Sequence, residues 1–253
     1  MSVIKSPPKR FMGLDLHKYY LVATAVDQDL NKVYSPKRVD LTELQDWMEK
    51  TLTSEDAVVL EMTGNTWQVH DELLPHVQSV TVVHPPHVAL IVRAQVMTDK
   101  IAALQLARLH AKGLLTGIWV PPQDVRDLRT LVAQREKMLA MKTQAKNRLQ
   151  STLHRYHILP PEGKPFDPDL HTWWLSLPVS KLELVRINSD LDTLAFSQQQ
   201  IASIETCMAA WAAHDERVAL LFQLTGVGLV TAVTVLAAVG VIQRFPDADH
   251  LVG

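Results

Sequence analysis

At Trp119-Val120-Pro121-Pro122 the hydrophobic rhythm of this 253-residue chain changes, and that change requires two different architectures in series. Upstream, short apolar runs alternate with amphipathic stretches. Downstream, apolar residues recur at alternating spacings of three and four. Paired prolines neither continue a helix nor donate to a β ladder, so they close the first unit.

The upstream unit reads as three strands, Phe11–Asp15, Tyr19–Val26 and Lys32–Val39, with Gln28-Asp29-Leu30-Asn31 as a turn. Two hairpins in a row imply antiparallel pairing. The pattern then alternates: a helix near Leu41–Leu52, a strand at 57–61, a helix near Thr66–His76, a strand at 79–83 and a helix from Lys100 to Lys112. Strands followed by helix-strand-helix-strand predict an α/β fold, a mixed sheet with flanking helices.

Beyond the prolines, Leu128, Leu131, Arg135, Met138, Lys142, Ala145, Leu149, Thr152 and Tyr156 trace one long helix. A second follows the same spacing through Leu184, Ile187, Leu191, Leu194, Gln198, Ile201, Glu205, Met208 and Ala212. Between them lies a Pro-rich insert, 160–178, in which Trp173-Trp174 reads as a packing anchor. The helices are expected to form a coiled coil, as an antiparallel hairpin or between chains, although polar seam residues interrupt the apolar ridge. A last stretch leads through Gly226-Val227-Gly228 into a small apolar helix, Leu229–Val239. Free backbone N–H groups at such a turn suit phosphate, which makes Gly226 and Gly228 candidate nucleic-acid contacts.

The net charge of −2 does not by itself indicate a nucleic-acid partner. Its distribution does more. Between Arg126 and Arg155 eight basic residues face two acids, Asp127 and Glu136, a stripe of +6. The single Cys207 excludes an intramolecular disulfide and a Cys-based zinc site, and reads as a small buried apolar residue. No apolar run reaches the roughly 18 residues of a membrane span and the N-terminus lacks a secretory h-region, so no membrane is expected and the location is expected to be cytoplasmic.

Chemistry concentrates in three acids. Asp15 ends the run Phe11-Met12-Gly13-Leu14, Glu61 ends Ala57-Val58-Val59-Leu60, and Asp99 opens a helical pattern that Thr98 can cap. Singly, they are equally compatible with a strand-end turn, a loop acid and a helix N-terminal acid. Together, from distant elements of one sheet, they describe an oxygen-ligand site for Mg²⁺ or Mn²⁺, the cations that pairs or sets of carboxylates hold in nucleases. The residue three beyond Asp99 projects from the same helix face and is Ala102, whose methyl cannot ligate. None of the eleven histidines falls in a His-Glu-x-x-His spacing; His84-Pro85-Pro86-His87 reads as a solvated loop. Walker, dinucleotide and Gly-x-Ser-x-Gly motifs do not occur.

Four blocks, Gly13–Lys18, Val59–Gly64, Met97–Ala103 and Leu224–Ala232, together resemble the transposases of the IS110/IS1111 insertion-sequence family in order and separation over essentially the whole chain. The resemblance implies an N-terminal RuvC-like domain of the ribonuclease H fold with an Asp-Glu-Asp-Asp set, a coiled coil, and a C-terminal domain bearing a nucleophilic serine. On this sequence Asp15, Glu61 and Asp99 are the first three acids and Ala102 stands at the fourth, which implies impaired strand cleavage. The family's serine lies beyond the stretch resembling Arg244–Gly253, so the chain reads as cut short; Ser197 and Ser203 read as surface residues of the coiled coil. Domains are therefore expected at 1–122 (RuvC-like), 123–215 (coiled coil) and 216–253 (the start of a partial C-terminal helical domain).

The resemblance further implies DNA recombination guided by a structured noncoding RNA. The protein would then hold nucleic-acid backbones by charge, with Lys100, Arg126, Arg129, Arg135, Lys142, Lys146 and Arg148 as candidates. A homo-oligomer, dimer or tetramer, is expected through the coiled coil. Two other readings are a noncatalytic nucleic-acid-binding or assembly protein on the same scaffold, and an actin-like or sugar-kinase ATPase. The last needs Gly-rich phosphate turns, and with nine glycines in the chain the N-terminal part has none at the right place.

Overall fold

The computed structural model describes residues 6–91, 98–161 and 165–252. Met97 of the third resemblance block, residues 162–164 of the Pro-rich insert and Gly253 lie outside them. The chain divides into two compact units, Met1–Val120 and Pro121–Gly253, with the boundary at the proline pair that breaks the sequence pattern.

In the first unit, β1 (Arg10–Leu16), β2 (Tyr20–Val26) and β3 (Lys32–Asp40) form an antiparallel meander. A 3₁₀ turn and α1 (Leu44–Thr51) lead into β4 (Asp56–Glu61), which lies parallel to β1; α2 (Thr66–Leu73) crosses over to β5 (Ser79–Val83), parallel to β4. Helices α3 (Pro85–Ile91) and α4 (Asp99–Ala111) follow. The five strands run in the order β3-β2-β1-β4-β5, a mixed sheet of the ribonuclease H type with flanking helices. The His84–His87 segment is not a loop as the sequence predicts: its prolines occupy the first turn of α3, where a missing N–H costs nothing.

Alternation along the strands sorts the sheet into two faces. Met12, Leu14, Leu16, Val58 and Leu60 join Trp47, Met48, Val69 and Leu73 of α1 and α2 in the main core. The opposite residues, among them Gly13 and Val59, face α4. Gly13 is decisive there, because a Cβ at that position would lie 2.0 Å from the Ala103 carbonyl oxygen and 2.6 Å from the Ala107 nitrogen. Only a residue without a side chain lets helix backbone lie this close to a strand. At the far end of β1, Arg10 clamps the fully buried Asp56 of β4 through two contacts of 2.6 Å, fixing the parallel pair.

In the second unit, α5 (Gln123–Arg155) and α7 (Lys181–Ala212) run antiparallel, as the successive pairs Arg135–Glu205, Arg148–Asp190 and Arg155–Glu183 require. The hairpin alternative is thus the one adopted. Two of the polar seam positions, Arg135 and Glu205, bond to each other across the ridge. Between the long helices, α6 (His171–Leu175) delivers Trp174, fully buried against Leu149, Ile187 and Leu191, with its indole N–H donating to the Pro165 carbonyl at 2.8 Å. Helices α8 (Glu216–Leu221), α9 (Leu229–Val239) and α10 (Asp249–Val252) complete the unit, α9 packing on Leu128, Ile204 and Met208. Two expectations fail in α7. Ser197 is fully buried, its hydroxyl satisfied by the Thr193 carbonyl one turn back, whereas Cys207 is exposed, flanking the buried line of Ile204 and Met208 without joining it.

Candidate metal centre

Asp15, Glu61 and Asp99 come to one end of the sheet by simple rules of period and register. Leu14 of β1 pairs with Leu60 of β4, so the next residue on each strand, Asp15 and Glu61, sit on neighbouring strands, about 4.8 Å apart at the backbone. Both share the α4 side with Gly13 and Val59. Asp99 occupies the first turn of α4, whose N-terminus Thr98 caps by accepting from the Ile101 N–H at 3.4 Å. The Gly13 contact holds that helix against β1, so the glycine two residues before Asp15 also governs where Asp99 lies.

Two further side chains complete the cluster. His17, in the turn after β1, places Nε2 3.3 Å from Asp15 Oδ2 and 3.5 Å from Asp99 Oδ2. Tyr20, at the start of β2, donates its hydroxyl to Asp99 Oδ2 at 3.0 Å. The donor atoms of Asp15, His17 and Asp99 all lie within 4.8 Å of one another, and among the described residues this is the cluster able to hold a metal ion. Glu61 stands outside that trio, yet close enough for the Asp15 charge to act on it.

The electrostatics of the site are those of crowded, half-buried carboxylates. Burial pushes the Asp15 carboxyl above its ordinary range, opposed by the nearby His17 and reinforced by Asp99. Burial, then the Asp15 charge, does the same to Glu61. The Tyr20 hydroxyl is also pushed up, chiefly because it donates to Asp99. Each shift disfavours concentrated negative charge, and a divalent cation would offset it. Ala102, one helical turn beyond Asp99, is partly buried and offers no donor atom.

A family model for DEDD-type IS110 transposases, described as Transposase, matches residues 12–158, more than half of the chain. The chain belongs to the IS110 transposase family. No curated protein matches it. Membership implies a DNA-recombining enzyme that uses a divalent metal, and the matched segment contains the whole carboxylate cluster. The donor chemistry fits, since carboxylate oxygens are the ligands Mg²⁺ and Mn²⁺ take. Among the described residues no helix is long and apolar enough to cross a membrane.

Several members of the basic stripe are engaged inside the second unit. Arg129 donates to the carbonyls of Ala237 and Ala238 at 2.7 and 2.9 Å, satisfying the C-terminal end of α9. Arg135 binds Glu205 and Glu136, and Arg148 binds the buried Asp190. Lys146 lies over the Phe166 ring, 5.1 Å from its centroid. Arg126 and Lys142 are half-buried, while Lys100 on α4 is exposed, as are Gly226 and Gly228 before α9. Sequence reasoning passed over His17 and Tyr20. The signal for His17 was its place two residues after a strand-end aspartate; Tyr20 gave none, because only the β1–β2 register puts it beside His17, whose N–H donates to the Tyr20 carbonyl at 2.8 Å.

Proposed function

We propose that this transposase uses Asp15, Glu61 and Asp99 as the catalytic carboxylates that hold Mg²⁺ or Mn²⁺ for DNA strand cleavage and exchange. The observation that carries the reading is the meeting of Asp15 and Asp99, from β1 and α4, on the same His17 nitrogen at 3.3 and 3.5 Å. When bound, the cation supplies an activated oxygen nucleophile and stabilises the leaving oxygen. The protein's own part is to fix the carboxylates: β1 and β4 by register, α4 by its close approach at Gly13, and Asp99 by the Tyr20 hydroxyl. Ala102 leaves one position of the set without a donor, so strand cleavage by this chain is impaired.

Recognition is guided by a structured noncoding RNA that pairs with the DNA strands, the protein holding backbones by charge. Exposed Lys100, beside the acids, and exposed Gly226 and Gly228 at the start of α9 support contacts on both units. Arg126, Lys142, Lys146 and the partly exposed Arg148 contribute where they line the long helices; Arg129 and Arg135 serve through the packing they maintain. The site lies in a domain of residues 1–122, followed by a helical segment, 123–215, and a C-terminal helical part, 216–253. A homo-oligomer forms on α7, where Leu182, Val185 and Phe196 are exposed.

Isothermal titration with Mn²⁺ tests the reading. Asp15→Asn should abolish measurable binding and Ala102→Asp should tighten it by about tenfold. Indistinguishable titrations of the native protein and Asp15→Asn would remove the site. A noncatalytic nucleic-acid-binding role is favoured by one observation, the methyl at position 102; it would show as nucleic-acid binding that weakens steeply with salt yet ignores Mg²⁺ and all three acids.

A further inference from the structure

We infer that His17 is a direct ligand of the divalent cation and gives the site a preference for Mn²⁺ over Mg²⁺. This rests on the proposed cation site and adds a nitrogen donor to it.

Three independent features of the geometry carry the inference. The first is spacing. With metal–ligand bonds of about 2.1 Å, donors at adjacent corners of an octahedron sit roughly 3 Å apart. His17 Nε2 is 3.3 Å from Asp15 Oδ2 and 3.5 Å from Asp99 Oδ2, close to that edge length on both sides, and no two of the three donors are further apart than 4.8 Å.

The second is preorganisation. The His17 ring stacks on Tyr20, centroids 4.5 Å apart and planes inclined by 22°, and Arg38 covers Tyr20 with its guanidinium carbon 3.6 Å from the ring centroid. The turn that carries His17 is held by its N–H bond to the Tyr20 carbonyl at 2.8 Å and by Asn65, whose side-chain amide donates to the His17 carbonyl at 3.1 Å. A ring pinned in this way keeps Nε2 turned toward the carboxylates. The same Tyr20 also bonds Asp99, so one side chain orients two donors.

The third is the gap at Ala102. A methyl on the α4 face provides no donor at that position, and His17 approaches Asp15 and Asp99 from the β1–β2 turn. Imidazole is a good ligand for first-row transition ions and a poor one for Mg²⁺, which prefers oxygen. Replacing an oxygen donor by nitrogen therefore moves the preference toward Mn²⁺.

The native protein, loaded with MnCl₂, should give ¹⁴N modulation in pulsed electron paramagnetic resonance, the signature of a coordinated imidazole. By calorimetry, His17→Ala should weaken Mn²⁺ binding about tenfold or more and change Mg²⁺ binding by less than about threefold. His17→Asp should recover Mn²⁺ binding but lose the Mn²⁺-over-Mg²⁺ preference. Bound Mn²⁺ without ¹⁴N modulation overturns the assignment of His17 and leaves the carboxylate site standing. Absence of Mn²⁺ binding by the native protein overturns both. The spectroscopic arm uses the unmutated chain, so a folding defect in either variant cannot decide the matter.

Discussion

Gly13→Ala is expected to dislodge α4 and, with it, the cation site. The added methyl would sit 2.0 Å from the Ala103 carbonyl oxygen and 2.6 Å from the Ala107 nitrogen, whereas ordinary contact begins at 3.4 Å. To clear the oxygen, helix and strand must part by roughly 1.4 Å, the difference between 2.0 and 3.4 Å. Both obstacles are helix backbone, so no side-chain rotation relieves them. Overpacking of this kind costs about 1–3 kcal/mol, and rigid backbone on one side places Gly13→Ala at about 3 kcal/mol. For a unit of this size, Met1–Val120, that lowers the melting temperature by about 10 °C. Asp99 travels with the helix, and a displacement above 1 Å breaks the 3.0 Å bond from Tyr20 and the 3.5 Å approach of His17, so Mn²⁺ binding should fall in parallel. Gly64→Ala is the control, since a Cβ there meets nothing within 4 Å. Differential scanning calorimetry with and without Mn²⁺ reads both effects. A Gly13→Ala protein melting within about 3 °C of the native one, with unchanged Mn²⁺ affinity, would refute the argument that this glycine sets the height of α4.

Two further outcomes follow from the site and the helical hairpin. Because burial raises the Asp15 and Glu61 carboxyls above their unfolded values, the folded state holds those protons longer; their contribution to stability therefore declines as pH rises from about 4 through the raised folded values. In EDTA, the urea midpoint of the native protein should drop more between pH 4.5 and 7 than that of Asp15→Asn/Glu61→Gln, and parallel pH profiles would contradict this. In the second unit, Asp190 is 5% exposed and bonded by both Arg148 and Arg186. Removing both arginines as Arg148→Ala/Arg186→Ala leaves that carboxylate without a cation and should cost about 3 kcal/mol in urea unfolding, the low end for a broken buried pair because water reaches the arginine heads; a loss below about 1 kcal/mol would show that the pair is solvated.

The strands were legible because their patterns are local. Phe11–Asp15, 57–61 and 79–83 are short apolar runs bounded by polar turns, and each became a strand within a residue or two of its expected limits. Helix α3 was missed because two prolines and two histidines carry turn chemistry, and only its following residues reveal that the prolines sit at a helix start. Ser197 and Cys207 were misplaced for a related reason: on a helix of 32 residues a small shift in the assumed seam moves a side chain from the buried face to the solvent. The polar seam residues looked like defects when each helix was read alone. Two of them, Arg135 and Glu205, become a bonded pair only when antiparallel pairing sets one helix against the other.

Within the site, the sequence alone singled out the candidates: Asp15 and Glu61 at the ends of apolar runs, Asp99 at a helix start behind a capping threonine, and a methyl at position 102. Those facts follow from local periodicity and from the donor atoms each side chain owns. The tertiary structure decided what these residues meet. Distances of 3.3 and 3.5 Å from one imidazole nitrogen to two carboxylates depend on the β1–β2 register, on the 3.0 Å bond from Tyr20, and on a helix brought against a strand at Gly13, and each is a contact between residues distant in the chain or set by pairing. Linear pattern records what a side chain can do, whereas the approach of β1 to α4 fixes which partners it has.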